Sequence, residues 1–436
     1  MAGNKAAGRI CKSLLIFLLL AGPGFSSGVA QQVPGEKMAP YIAPRNVASF
    51  DNFGAALAAS GDTLIAGAPG TELKGAHNGG AAYIFQRHGK EWAEKAQLLP
   101  DLAQANSGFG FAVAISGNTA AVGARYESNP SGGNASGAVY VYTQQGSGWK
   151  LQARLSAADG APFDLFGDAV AIDGDVLVVG ARAADGPQME RNSGAVYVFQ
   201  RSGETWNLFA RLAPVDLEAE SHFGQALALN GDTLAVGAPG AGSLDIPSSG
   251  RVYVYRLSGG SWTQESILAG EKPQEQALLG KGIALDGDTL AALAPQEYQE
   301  GEMPPSAAAY SSRFGIAYIF TRQGGSWSQQ ARLVPHTDEQ YGSVIRGLAL
   351  SGDSGGRRLV LSGMGMGRLA RFQQKGQEWQ ELSELNADLS NLTFGEVISI
   401  SGSQVLLGHR MFDQNNGPYS TGEALMSAGA VFTVEW

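Results

Sequence analysis

Cysteine is almost missing from this chain, and its one copy, Cys11, sits among the first dozen residues. No disulfide framework and no thiol nucleophile can organise the rest, so stability must come from a buried core, which 436 residues are enough to build. Histidine is scarce as well. His77, His88, His222, His336 and His409 are scattered, with no recurring acid partner from which an acid–base pair could be read. Helical periodicity is absent. The one long apolar run, "SLLIFLLLAG", is about ten residues, where a membrane span needs roughly 20. Positive charge is in deficit, 30 Lys and Arg against 40 Asp and Glu for a net of −10, which disfavours nucleic acid and anionic membranes as partners.

That apolar run follows Lys5, Arg9 and Lys12 and precedes a Pro-Gly break and "SSGVA". The order is that of a secretory signal, with small Gly28 and Ala30 placed for a cut after Ala30. Residues 1–30 are therefore expected to be removed and residues 31–436 to be secreted or periplasmic, with no membrane span. The three cations go with the leader and no acid does, so the mature charge falls to −13.

What the chain has in abundance is repetition. Phe-Gly recurs at Phe53, Phe109, Phe166, Phe223 and Phe394, with Leu279 and Tyr341 before glycine at the intermediate positions. The intervals of 56, 57, 57, 56, 62 and 53 define seven units. Each unit reads as two short apolar runs around Ser-Gly-Asn or Ser-Gly-Asp, then a segment apolar on both faces such as "GAVYVY", a glycine turn, and a segment beginning near a tryptophan. Trp92, Trp149, Trp206, Trp262, Trp327 and Trp379 each lie nine residues after the centre of the third segment and are expected to pack between units. Four antiparallel strands repeated seven times predict an all-β, seven-bladed β-propeller, a single unit over 31–436 with blades starting near 53, 109, 166, 223, 279, 341 and 394. The seventh unit stops after its third strand. "IAPRNVASFDNFG" at 42–54 aligns with "LAPVDLEAESHFG" at 212–224, so residues 39–43 are expected to supply the missing strand and close the ring.

The residues Phe53-Gly54 with Gly67-Ala68-Pro69, and Phe223-Gly224 with Gly237-Ala238-Pro239, resemble the FG-GAP repeats of integrin α-chain propellers and their bacterial relatives. The resemblance covers residues 39–436. Other units are worn, with Gly-Ala-Arg at 123–125 and 180–182 and Gly408-His409-Arg410. The family's calcium loops would lie between the Phe-Gly and the Gly-Ala-Pro, where this chain has only short turns such as "SGDT" and "DGDV". Calcium takes six to eight oxygen ligands, so no metal and no cofactor is expected. Asp413-Gln414-Asn415-Asn416-Gly417 is the nearest imitation and reads as a polar turn.

"SGDSGG" at 351–356 imitates the surroundings of a serine nucleophile, but in register it is the sixth copy of the first hairpin, and Ser354 is not expected to be catalytic. The resemblance implies a non-catalytic binding or adhesion-type module engaging an extracellular protein or glycan, and the chain is expected to be a monomer. The alternative is an extracellular polysaccharide lyase or glycosidase on the same scaffold. Two long insertions, 296–313 and 411–428, flank the sixth unit and suggest a docking notch lined by Glu297, Tyr298, Glu300, Glu302, Tyr310, Asp413, Asn415 and Tyr419.

Overall fold

The computed structural model describes residues 41–130, 132–297, 315–335, 344–353, 356–364, 369–382, 397–411 and 428–436. These residues form seven four-stranded antiparallel sheets. No helix occurs among them. In blade one the strands are Ala56–Ser60, Thr63–Ala68, Ala81–His88 and Glu91–Leu98, hydrogen-bonded in chain order. The first strand of every blade touches the first strand of the next, and Ala56–Ser60 touches Val397–Ser401 of blade seven. First strands thus surround the axis, and the ring is closed.

Closure comes from the two ends of the chain. Tyr41–Ile42 pairs antiparallel with Ala430–Glu435, Tyr41 opposite Phe432 and Ile42 opposite Val431. This is the pairing expected for residues 39–43, seen over residues 41–42, and it removes an open sheet edge.

The core lies between blades. One cluster joins Ile65 and Ile84 of blade one to Phe109, Val122 and Tyr140 of blade two, and equivalent clusters occupy the other boundaries round to blades seven and one. Central third strands such as Ala138–Gln145 are buried for six residues running, as a strand covered on both faces must be. Fourth strands such as Glu91–Leu98 form the rim and alternate between buried and exposed.

Glycine recurs because the backbones of adjacent blades touch. A Cβ on Gly67 would overlap the carbonyl oxygen of Gly110, and Gly123 stands so to Gly167, Gly180 to Gly224 and Gly408 to Gly54. Among the described residues the glycine of each Phe-Gly, and Gly280 after Leu279, also has positive φ, 90° at Gly110, Gly167 and Gly280. Both glycines of the repeat therefore serve one contact, in which no side chain fits.

Blade six departs from the pattern. Its first hairpin turns on two residues as in the other blades, such as Ser60 opposite Thr63, but at the end of longer strands. In blade six the strands Val344–Asp353 and Gly356–Met364 continue the ladder to Asp353 opposite Gly356. The hairpin reading of "SGDSGG" holds, but the extra residues lengthen the strands as well as shift the turn. Arg357 on this extension reaches Asp286 of blade five, Nε to Oδ2 at 3.1 Å. Ser354 itself lies outside the described residues.

Candidate functional site on the loop face

In an antiparallel blade the first and third connections lie at one end, and the second connection and the link to the next blade at the other. The first end carries tight turns. The second is a face of longer loops, and its backbone is repetitive. In the five units where it is described, the residue three before the Phe-Gly phenylalanine or its equivalent has positive φ: Phe50 (68°), Asn106 (54°), Phe163 (71°), Glu220 (62°) and Gln276 (58°). In four of them its N–H donates to the loop of the preceding blade, Asn106 to the His77 carbonyl, Phe163 to Asn134, Glu220 to Arg191 and Gln276 to Pro247. Asparagine adopts this conformation readily, whereas a bulky aromatic does so at a cost. Phe163 is nevertheless 63% exposed and Phe50 54%, so burial in the ring does not offset that cost.

These two are part of a wider asymmetry. Phe50, Leu99, Leu102, Phe163 and Val215 are large exposed apolar side chains in links between blades. Tyr126, Met189, Leu244 and Met411 are their counterparts in the connections from second to third strands, and Leu244 is 97% exposed. The remaining ones, Leu208, Phe209 and Ile267, lie on fourth strands at the rim. Among the described residues none lies on the tight-turn end.

At the inner edge of the loop face three charges converge. Arg125 and Arg182 directly follow the second strands Thr119–Ala124 and Val176–Ala181, and Asp168 is the third residue of the first strand of blade three, Phe166–Asp173. Arg125 Nη1 lies 2.6 Å from Asp168 Oδ1, and Arg182 Nε lies 2.9 Å from Asp168 Oδ2. The aspartate side chain is only 5% exposed and joins blades two and three. The Arg125 guanidinium rests on the Phe111 ring, 3.2 Å from its centroid, with Tyr126 at 4.5 Å. His222 Nδ1 is 3.3 Å from the Arg182 carbonyl, and burial pushes His222 below the usual histidine range.

Four stretches, 41–85, 92–142, 149–199 and 206–255, match the FG-GAP repeat family. With seven blades in one ring, that decides the family. The chain is an FG-GAP repeat β-propeller. No curated protein matches it. Each matched FG-GAP stretch begins at the fourth strand of one blade and ends at the third strand of the next, as 92–142 runs from Trp92 in Glu91–Leu98 to Tyr142 in Ala138–Gln145. The repeat in sequence is thus offset from the blade by one strand, which is why the first described strand completes the last blade.

The aspartates of the short FG-GAP hairpins are engaged by arginines. Asp62 pairs with Arg87, Asp175 with Arg201 and Asp288 with Arg322, each at 2.5 Å, and Asp232 with Arg256 at 2.7 Å. Arg87, Arg201 and Arg322 also lie over Trp92, Trp206 and Trp327. No group of three or more His, Cys, Asp or Glu placed to hold a metal occurs among the described residues.

Of the eight residues expected in the docking notch, Tyr298, Glu300, Glu302, Tyr310, Asp413, Asn415 and Tyr419 lie outside the described residues. Glu297 is described, and it is no rim residue. It is 2% exposed, accepts a hydrogen bond from the Tyr318 hydroxyl at 2.6 Å and pairs with Arg332 at 3.1 Å. Burial pushes its carboxyl up, with Tyr318 and Arg332 opposing. Its equivalent is Glu127, fully buried, which accepts from Tyr140 at 2.8 Å and pairs with Arg154. The recurrence of Ala-x-x-Glu at 124–127 and 294–297 was the available signal that this acid serves the central tyrosine. In blades three and four, with alanine at that position, Asp159 and Asp216 accept from Tyr197 and Tyr253 instead. The Arg125, Asp168 and Arg182 cluster was missed because two arginines in place of proline read as a worn motif.

Proposed function

We propose that this FG-GAP propeller is a non-catalytic binding module, secreted or periplasmic after loss of residues 1–30, whose loop face docks a protein partner. The observation that carries the reading is the one-sided exposure of large apolar side chains. Scattered single apolar residues on a surface need no explanation, but nine of these twelve lie in loop-face connections, three on the rim and, among the described residues, none on the tight-turn end, a bias that marks an interaction surface. Long aliphatic residues such as Met189, Val215 and Leu244 suit a protein better than a glycan, since interface centres are enriched in methionine and aromatics and depleted in charge. The strained, exposed Phe50 and Phe163 fit the same role. Glycan binding through Tyr126 and the two phenylalanines is the second reading.

The test is to immobilise residues 31–436 and compare wild type with the triple variant Phe163→Asn, Met189→Gln, Leu244→Gln against extracellular proteins and a glycan array from the producing cells. A bound protein lost by the triple variant and kept by the tight-turn variant Lys90→Glu is the expected result. Partners indifferent to the triple variant, or bound glycans alone, would sink the reading.

A further inference from the structure

The pair Arg125 and Arg182 is over-supplied with donors for the one carboxylate it holds. A guanidinium carries five N–H groups. Each of these arginines spends a single nitrogen on Asp168, Nη1 of Arg125 and Nε of Arg182, and has no further hydrogen bond to the described residues. Arg125 Nε is buried without a partner, while the terminal nitrogens of Arg182 are not among the buried, unsatisfied atoms and therefore meet solvent. The Arg125 side chain is 15% and the Arg182 side chain 25% exposed, so both are fixed yet reachable. Two cations against one anion leave a net positive charge.

The surroundings are mixed in sign: His222 feels Arg182 and Lys281, and its Nε2 also lies 3.6 Å from the half-exposed carboxylate of Glu220. By register Arg410 follows the second strand of blade seven, Gln404–His409, at the same end of the ring. A basic mouth on a chain of net charge −10 is a local reversal that the ring does not need, because Pro69, Pro239 and Pro295 occupy the position of Arg125 and Arg182 in other blades. The Phe111 and Tyr126 rings both lie against the Arg125 guanidinium, which restrains it and limits its hydration.

We infer that the axial mouth at blades two and three is a carboxylate-binding site, in which Arg182 and Arg125 receive an acidic side chain or the C-terminal carboxylate of the docked protein. Arg182 supplies its outward terminal nitrogens as a fork, and Asp168 holds both guanidiniums in place from below. Tyr126, exposed beside them, covers the apolar stem of the bound residue. This inference rests on the loop-face reading and adds the chemistry of the ligand group.

The test uses residues 31–436 with a fluorescent hexaglutamate peptide as the carboxylate probe, at low ionic strength, with hexalysine and oligogalacturonate for comparison. Saturable hexaglutamate binding that weakens by about tenfold or more in Arg182→Gln is expected, the size of a lost charge-assisted hydrogen bond. Arg182→Lys keeps the charge and loses the fork, and should fall between the two. Thermal unfolding of each variant separates lost binding from lost folding. Hexaglutamate binding that is absent, or unchanged by Arg182→Gln in a folded variant, overturns the site. Oligogalacturonate binding that exceeds hexaglutamate and depends on Arg182 overturns the protein source in favour of an acidic glycan. The triple apolar variant of the loop face should leave hexaglutamate binding intact, so failure of the site and failure of the docking face are read separately.

Discussion

The indole Nε1 of Trp206 donates to Oε1 of Gln152 at 2.8 Å, across the boundary between blades three and two. Gln152 is the extra residue of a β-bulge, because Val141 lies opposite Ala153 while Tyr142 lies opposite Leu151. The bulge re-aims one rim side chain toward the next blade. Glu265 and Gln330, extra residues of the corresponding bulges, accept from Trp327 at 2.9 Å and Trp379 at 3.3 Å. At the closure the fourth strand is only Tyr41–Ile42, and Trp92 donates instead to Gln404 on the second strand. Trp92, Trp206, Trp327 and Trp379 are thus inter-blade hydrogen-bond donors as well as the packing residues expected, whereas the bulge residues in the blades before Trp149 and Trp262 are Lys95 and Phe209, which offer no side-chain acceptor.

Gln152→Leu should therefore lower stability by ~1–2 kcal/mol, the cost of leaving a largely buried donor unpaired. In a double-mutant cycle with Trp206→Phe the two losses should be less than additive. Denaturant unfolding of the four proteins checks this, and full additivity would show that the bond contributes nothing.

Gly123→Ala should cost ~2–3 kcal/mol or prevent folding, since its Cβ would meet the Gly167 carbonyl of the neighbouring blade. Gly61→Ala, at φ 57° in a tight turn with open space around it, should cost only about 1 kcal/mol. Equal costs would mean that backbone approach between blades is not what the repeat conserves within this chain.

The central tyrosines set an alkaline limit. Burial pushes Tyr83, Tyr197 and Tyr253 up to about 12 from the ordinary 10.0. Their folded pKa exceeds the unfolded one, so the native state binds more protons between the two values. Stability from these groups is complete below pH 10 and is lost as pH rises toward 12. A tyrosinate absorbance titration should show these residues ionising together with unfolding. Ionisation of all thirteen tyrosines near pH 10 in folded protein would contradict their burial.

Chelator should leave the unfolding midpoint unchanged, because Asp62, Asp175, Asp232 and Asp288 are held by arginines. A ligand at a hundredfold excess over its Kd would add about 2.7 kcal/mol. A calcium-dependent rise of several degrees would show that these pairs open for metal.

The blades were legible because each repeats local signals: a positive-φ glycine in the first turn, an apolar third strand, a tryptophan at fixed distance. The closure was legible for the same reason, through the match of residues 42–54 to 212–224. The candidate site was not, because it depends on which residues of different blades meet. Asp168 is an ordinary acid after a Phe-Gly until Arg125 of blade two is placed beside it. Glu297 misled in the opposite way. It opens a long insertion, yet the turn donating Glu297 N–H to the Ala294 carbonyl brings its carboxylate under Tyr318.

The most direct measurement is hydrogen exchange of residues 31–436 alone and in complex with the partner captured on the immobilised protein. Added protection in 99–108, 126–130, 161–165, 185–193 and 213–222 is the result expected of a loop-face interface. Protection confined to the tight turns at 60–63, 88–91 and 173–176, or to the rim strands, would contradict it.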